Sequence, residues 1–344
     1  MPTPARIQEQ LVAFGFKKQA DIATANILAG IWRLNKLNAG LAKVDLATED
    51  DSAELGKGHE FATTVFKTNW NVGGSLEKYA SAEWAAWAMV FGLGKSAKTG
   101  TPPNYVYTCT PPAPVTDGIE LPYFSFLETI RQGGSAILDR MAVGCAIEDV
   151  MIDVSSGPGR AASKITANFV GSGKVTEPST ITLPDATAEK LLPSASLAAT
   201  IIGVDYVNLK NIISLKMGWK NNLKVGFFPG SGFQTGGDAT TGAIAGRLEV
   251  GQRVPSLSFI ARMDSASAER TKVLALTTGT AVISLTYDTN NSLAVTFQKV
   301  GFSVAEIGEN DGLVSISVEA RPLYHATNGL ISAVAKCNID AIGE

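Results

Sequence analysis

The sequence predicts a mainly β protein with two tandem β domains, each carrying one short helix, behind an N-terminal arm. Three observations favour this fold class. Glycine is abundant, at 34 of 344 residues, and together with 15 prolines it favours turns and strands over a helical bundle. Short segments rich in Val, Ile, Thr and aromatic residues alternate with turn residues along the chain. The order of these segments in the first half returns in the second half.

Residues 1–58 form the predicted N-terminal arm. Its apolar residues between positions 27 and 41 recur with a helix-like period, but Gly30, Asn38 and Gly40 weaken that pattern. Helix and irregular strand therefore both remain open for this part of the arm.

The first β domain is predicted at 59–175. Its helix is expected at 81–91, with Ser81 as the N-cap and glycines just after its end. Its strands are expected at residues 61–70, 105–109, 143–154 and 161–170, the last two joined by a turn at 155–159.

A segment rich in Ser, Thr, Pro and Gly follows, and we interpret residues 176–205 as a linker between domains. The second β domain is predicted at 206–325, with a helix at 267–276, and residues 326–344 are predicted as a C-terminal tail. The strands of the second domain are expected at 212–219, 225–228, 257–262, 281–287, 293–297, 300–307 and 313–320, with hairpin turns at 288–291 and 308–312.

An internal repeat relates the two halves. The helices begin with the same letters, Ser-Ala-Glu, at positions 81 and 267, which are 186 residues apart. Residues 143–147 (VGCAI) match 300–304 (VGFSV) at an offset of 157, so the first copy holds about 29 additional residues between Gly94 and Val143. A duplicated domain and a chance likeness of two β-rich halves both explain these letters, and the shared order of elements favours duplication.

The composition excludes several function classes. The formal net charge of −3 excludes a generally basic nucleic-acid binder. The cysteines Cys109, Cys145 and Cys337 are odd in number and widely spaced, which excludes a disulfide framework or a CxxC metal site. The two histidines, His59 and His325, have no Cys or Asp at ligand spacing. We therefore expect neither a metal nor a cofactor.

The motifs of catalysis are missing as well. Residues 91–96 (FGLGKS) resemble a phosphate-binding loop, but Met89 stands where its first glycine is needed, and the segment follows a helix whose carbonyl end repels phosphate. Asp149 and Asp153 share one strand face and are interpreted as solvated. Because G-x-S-x-G and H-E-x-x-H motifs are also absent, we expect no enzyme activity.

Phe227, Phe228 and Phe233 are the candidate site residues. They lie in the segment 226–251, which holds eight glycines, too many for a regular element. Aromatic side chains on such a loop suit a partner surface, although an ordinary loop folded back on its own domain explains them equally well.

Neither a signal peptide nor a membrane anchor is expected. The first residues lack the apolar core of an export signal, and no stretch approaches the about 20 apolar residues that span a bilayer. The free thiols suit synthesis in a reducing cytoplasm.

Five segments of the first half form a familiar pattern: 14–19 (FGFKKQ), 54–61 (ELGKGHEF), 73–77 (GGSLE), 81–87 (SAEWAAW) and 156–160 (SGPGR). Together they resemble the major tail tube proteins of long-tailed, siphovirus-type bacteriophages. This resemblance implies β-sandwich or open-barrel domains with a flanking helix. It also implies rings that stack into a hollow tube for passage of DNA.

The double-domain form of that family implies rings of three chains, with six lobes. Implied partners are further copies of the chain, the tape-measure protein and double-stranded DNA in the lumen, and tail terminator and baseplate proteins at the tube ends. The implied location is the virion tail, with assembly in the host cytoplasm. The family also uses a long loop to join successive rings, which is the role expected for Phe227, Phe228 and Phe233.

The mild negative charge suits a passage for DNA, because each Lys or Arg contact with phosphate would add affinity and slow the passage. Two other classes remain open from the sequence. One is another virion component, such as a tail terminator, baseplate hub or decoration protein. The other is a carbohydrate-binding or hydrolytic β-sandwich, which would need an aromatic platform or converging carboxylates.

Overall fold

The computed structural model describes residues 9–15, 17–24, 31–33, 38–39, 43–50, 65–112, 120–132, 135–155, 163–176, 189–207, 212–227, 245–263, 268–310 and 312–344. Within these ranges the chain is mainly β, as the sequence predicts, and its sheets are antiparallel.

The first half contains one helix, α1 (Ala82–Leu93), among eleven strands within the described ranges. The strands are β1 (Glu9–Gly15), β2 (Ile31–Arg33), β3 (Asn38–Ala39), β4 (Lys43–Asp50), β5 (Val65–Tyr79), β6 (Lys95–Thr101), β7 (Asn104–Thr110), β8 (Phe124–Gln132), β9 (Ser135–Ser155), β10 (Lys164–Gly171) and β11 (Lys174–Thr176).

The second half contains the helix α2 (Ala268–Leu274) and ten strands, again counting only described residues. The strands are β12 (Ala198–Ile201), β13 (Val204–Asp205), β14 (Ile212–Lys220), β15 (Lys224–Gly226), β16 (Arg247–Glu249), β17 (Val254–Arg262), β18 (Thr278–Asp288), β19 (Asn291–Asn310), β20 (Leu313–Pro322) and β21 (Ile331–Cys337).

Both predicted helices and both predicted hairpins of the second half are confirmed. Ser81 caps α1 as expected, because its hydroxyl oxygen accepts a hydrogen bond from the Trp84 N–H at 3.1 Å. Gly94 ends α1 with φ of 98°, and a Cβ at this position would lie 2.6 Å from the Leu121 side chain. Only glycine fits there without displacement.

The packing of α1 differs from the flanking helix that the resemblance implies. All twelve residues of α1 are buried. Its own Ala, Trp, Met, Val and Phe residues lie on all sides of the helix, and Glu83 is its only charged residue. Trp84 and Trp87 stack with ring centroids 4.9 Å apart, and Trp87 meets Phe124 edge to face at 4.9 Å. The helix is therefore the centre of the core, enclosed between sheets, and not a flanking element.

The two halves share one pairing order. In the first half β1 pairs with β2 and β8, β3 and β4 pair with β5, and β10 joins β5 to β9, which also pairs with β8. In the second half β12 pairs with β13 and β18, β14 pairs with β17, and β20 joins β17 to β19, which also pairs with β18. The β6–β7 hairpin stands where the additional residues of the first half are predicted.

A β-bulge fixes the correspondence between the long strands β9 and β19. The bulged residue is Glu148 in β9 and Ser303 in β19, an offset of 155. The predicted match of 143–147 with 300–304 is therefore wrong by two positions. Because side chains alternate with a period of two, that shift leaves every residue on its correct face.

Strands of the two halves also pair with each other. β14 lies beside β9, and β21 lies between β19 and β7. The residues 326–344, predicted as a tail, thus contain a strand of the sheet. The described residues of the predicted linker contain β12 and β13, which belong to the second half by their pairing with β18 and with each other.

These pairings build one eight-position sheet across the chain. Its order is β3 and β4 together, then β5, β10, β9, β14, β17, β20 and β19. One face of this sheet packs on the core, and the other face is polar. Asp153 lies between Lys164 and Lys216 on the polar face, and its side chain is 40% exposed. Asp149 on the same face is half-buried and accepts a hydrogen bond from the Asn168 amide at 2.7 Å, so it is less solvated than the sequence predicts.

Candidate subunit interface

Among the described residues, the eight-position sheet ends in two open edges. Residues 302–310 of β19 pair with β20, and no other described strand lies on their second side. At the opposite end, β3 and β4 pair with β5 alone among the described strands. An open strand edge is a template for pairing with another chain.

The first half shows how such an edge is covered. Beyond its contact with β8, β9 pairs with β14 from Asp149 opposite Lys220 to Ser155 opposite Ser214. The corresponding stretch of β19, beyond its contact with β18, has no such neighbour among the described residues. The chain therefore contains one covered and one open version of the same strand edge.

An apolar patch lies at the end of this open edge. We call Ile307, Leu313 and Val314 the hairpin tip, since they flank the turn between β19 and β20. Their side chains are 53%, 45% and 56% exposed. Ile152, which holds the position of Ile307 in the first half, is completely buried beside β14. Exposed apolar side chains grouped at a strand edge are typical of a protein–protein contact.

Two short strands form the base of the Gly-rich segment. β15 and β16 pair from Lys224 opposite Glu249 to Gly226 opposite Arg247. Leu248 at this base is fully buried, in a small cluster with Leu121 and Tyr123.

Of the predicted contact residues, the structure places only Phe227, directly after β15 and 38% exposed. Phe228 and Phe233 lie outside the described residues. The expected joining of rings through this segment therefore stays a prediction.

Two buried glutamates hold the connecting segment, which we define as residues 189–207. Glu83, in the first turn of α1, accepts a hydrogen bond from the Lys190 N–H at 3.0 Å. Glu269, in the first turn of α2, accepts one from the Tyr206 hydroxyl at 3.1 Å. Both carboxylates are at most 1% exposed. The repeated Ser-Ala-Glu sequence thus marks two equivalent anchors for the same segment.

Burial raises the pKa of the Glu83 carboxyl above its usual range, because desolvation outweighs the two backbone hydrogen bonds it accepts. Its charged neighbours are Lys78 and Glu189, which form a buried ion pair with each other. Burial also lowers the pKa of the Lys78 ammonium, against the attraction of Glu189. Because these groups titrate in the core, the stability of the fold depends on pH.

We expect Glu83→Gln to flatten the pH dependence of unfolding. An acid whose pKa is raised by folding costs no stability below its ordinary pKa of about 4.3, and the cost grows as pH rises toward the folded value. Glutamine keeps an acceptor for the Lys190 N–H and cannot ionise. Urea unfolding between pH 4 and 8 should show the wild type losing stability with rising pH relative to the variant.

The matched control for that experiment is Glu77→Gln, since Glu77 pairs with Lys164 on the solvated face at 2.8 Å. It should leave the pH profile almost unchanged, because exposed ion pairs contribute little. If the stability of the wild type changed with pH in the same way as that of Glu83→Gln, the raised pKa of Glu83 would be contradicted.

The structure describes all three cysteines and one of the two histidines. Cys109, Cys145 and Cys337 are buried, and burial raises the pKa of each thiol, which opposes nucleophilic use. His325 accepts hydrogen bonds from two backbone N–H groups of its own turn, at 3.2 and 3.3 Å. His59 lies outside the described residues. No cluster of three or more potential metal ligands occurs in the part of the chain that is described.

Comparison with known proteins identifies no family. No protein-family model matches the sequence, and no curated protein matches it significantly. Among the described residues, no helix combines the length and apolar character needed to cross a bilayer. Functional inference therefore depends on the geometry of the edges.

Sequence reasoning missed the two open edges and the hairpin tip. Edge status depends on which distant strands pair, and no local pattern reports it. One local signal was present: Ile307 and the pair Leu313–Val314 are apolar residues next to a glycine-containing turn, where polar residues are usual. The buried glutamates were visible as a repeat, but nothing in the letters indicates their burial.

Proposed function

We propose that this chain is the subunit of a bacteriophage tail tube, which forms rings that stack into a hollow conduit for DNA. The observation that carries the proposal is the sheet with one internal, covered edge contact and two complementary open edges. If β19 of one copy pairs with β3 and β4 of the next, as β9 pairs with β14 within the chain, each added copy repeats the same step. Such head-to-tail contacts produce a ring when the rotation closes.

The internal contact sets the register expected between copies. Counting from the bulges at Glu148 and Ser303, Glu306 occupies in β19 the position of Met151 in β9. Met151 lies opposite Gly218 of β14. The residue that Glu306 faces in the next copy is therefore the counterpart of Gly218.

That counterpart is Lys43 of β4. Gly218 lies opposite Ser256 on β17, and Lys43 lies opposite Gly73 on β5. Ser256 and Gly73 are equivalent, since each stands one residue before the point where its strand faces the bulge. The contact therefore places Glu306 of one copy opposite Lys43 of the next, an attractive cross-strand pair.

The polar face of the sheet supports a role as a conduit. Three of its lysines lie near a carboxylate: Lys164 to Glu77 at 2.8 Å, Lys220 to Glu148 at 3.7 Å, and Lys216 to Asp153 at 3.8 Å. Lysines paired in this way offer few free cations to phosphate, so DNA can slide past without strong binding. With two equivalent halves per chain, three chains supply six lobes. The assembled location is the virion tail.

The test is assembly of the purified full-length chain, followed by light scattering and negative-stain electron microscopy. We expect the purified chain to form rings or tubes. In images of whole phage tails, a label on the chain should mark the full length of the tail. Labelling confined to one end of the tail would instead identify a terminator or baseplate component. A monomer at all concentrations would contradict the proposal.

Charge reversal tests the proposed register. Glu306→Lys and Lys43→Glu should each weaken assembly by about 1 kcal/mol per contact, because like charges then face each other. The double variant should restore it. The control is Glu319→Lys on β20, an exposed position whose strand is paired on both sides. A double variant that assembles no better than the single variants would exclude this register.

A further inference from the structure

In the first half, the start of the connecting segment covers the end of the β9–β10 hairpin. The Leu192 N–H donates to the Ala80 carbonyl at 2.8 Å, and the Ala82 N–H donates to the Lys190 carbonyl at 2.9 Å. Leu192 is fully buried as a result. The segment therefore acts as a cap over the place where β5 passes into α1.

This cap also contacts the residue before β10. The Ala80 N–H donates to the Ser163 carbonyl at 2.7 Å, and the hydroxyls of Ser163 and Ser194 are 3.4 Å apart. Ser163 is fully buried.

The second half contains the same place, and no described segment covers it there in the way residues 190–194 do in the first half. The Met263 N–H donates to the Val314 carbonyl at 3.0 Å, which repeats the bond from Ala80 to Ser163. Met263 directly follows β17, as Ala80 directly follows β5. Val314 lies one residue before Ser315, the partner of Arg262 at the end of β17. In the same way, Ser163 lies one residue before Lys164, the partner of Tyr79 at the end of β5. Val314 is nevertheless 56% exposed, and Ile307 and Leu313 are exposed beside it.

The repeat indicates which segment belongs there. The connecting segment runs into β12, where Ile201 lies opposite Ala281 of β18. The equivalent strand of the first half is β1, where Phe14 lies opposite Phe126 of β8. Phe126 and Ala281 are equivalent, since their partners on β9 and β19 differ by the same 155 positions as the two bulges.

The residues that correspond to the cap are therefore 2–8 (PTPARIQ), with position 5 at the place of Leu192. The cap leads into β12 of the second half, but it covers the first half, which comes earlier in the chain. Residues 2–8 precede β1, so in the proposed ring the same relation assigns them to the second half of the preceding copy.

We propose that residues 2–8 of one copy bind over the hairpin tip of the neighbouring copy. Ile7 supplies an apolar side chain for Ile307, Leu313 and Val314, and burial of this patch drives the contact. Arg6 is attracted by the exposed acidic residues of the same hairpin, Glu306 and Glu309. The inference rests on the proposed ring assembly and adds to it a second contact, separate from the pairing of strand edges.

Cross-linking tests this contact directly. The variant with Ala5→Cys and Leu313→Cys, assembled and treated with a short bismaleimide, should give covalent dimers and trimers on a denaturing gel. Each single variant should give none, since the native cysteines are buried. The control pairs Ala5→Cys with Tyr324→Cys, because Tyr324 is 71% exposed but lies past the opposite end of β20.

Deletion of residues 2–8 gives a second measurement. It should raise the protein concentration needed for half-maximal assembly by about tenfold or more, because the tip then stays in contact with water. Rings that assemble normally without the cross-link, or a cross-link confined to single chains, would overturn this inference and leave the proposed function intact. Failure of the unmodified chain to form any ring would overturn both.

Discussion

Ile307→Lys is expected to leave the chain folded and monomeric. Ile307 is 53% exposed at the open edge of β19, so lysine meets no steric conflict in the isolated chain. In the proposed ring, a neighbouring strand encloses the same position, and an unpaired ammonium there costs several kcal/mol at every contact. Closure of a ring multiplies that cost by the number of contacts. Size-exclusion chromatography with light scattering should show one chain where the wild type shows rings.

The matched control is Val282→Lys. Val282 is 40% exposed on β18, a strand that β12 and β19 enclose on both sides. It adds the same charge to a similarly exposed strand position without an open edge, so assembly should be unchanged. If both variants assemble like the wild type, the edge of β19 is not the contact surface.

Trp87→Ala is expected to cause the largest loss of stability, about 3–5 kcal/mol. Trp87 is fully buried, packs against Trp84, Phe91 and Phe124, and its indole N–H donates to the Gly15 carbonyl at 2.9 Å. Alanine would leave a large cavity in the centre of the core and an unsatisfied carbonyl on β1. Urea denaturation followed by circular dichroism gives the free energy of unfolding.

Trp87→Phe separates the two contributions, since it fills most of the cavity and removes only the hydrogen bond; we expect it to cost about 1–3 kcal/mol. Tyr287→Ala is the surface control, because Tyr287 is 52% exposed and its loss should change stability by less than about 0.5 kcal/mol. A Trp87→Ala variant as stable as this control would contradict the central position of α1.

The fold class, the two helices and the hairpins of the second half could be predicted because their causes are local. Ser81 and Gly94 mark the ends of α1 through capping, and the residues at 288–291 and 308–312 form turns by their own preferences. The complete burial of α1 could not be predicted with the same certainty. Its alanines fit either a solvated or an enclosed face, and the distant strands decide between them.

The continuity of β9 was also beyond sequence reasoning. Gly144 stands inside this strand with φ of 67°, at the point where β9 passes from β8 to β10, and a Cβ there would lie 2.2 Å from the Ile22 carbonyl oxygen. In the sequence, Gly144 indicates the end of a strand and not its middle. The open edges are a still less local property, and the aromatic residues chosen as the candidate site, Phe227 among them, were selected by type and not by the pairing around them.

The contact between β9 and β14 has a consequence for how quickly a closed assembly can grow. In the proposed ring, every second junction between lobes is made inside one polypeptide, so its formation requires no collision between molecules and no loss of translational or rotational freedom. Two binding events then bring three chains together, and a third contact closes the proposed six-lobed ring. Half of its junctions are already formed before any two chains meet. Incomplete arcs are correspondingly few, which favours uniform diameter over a spread of sizes.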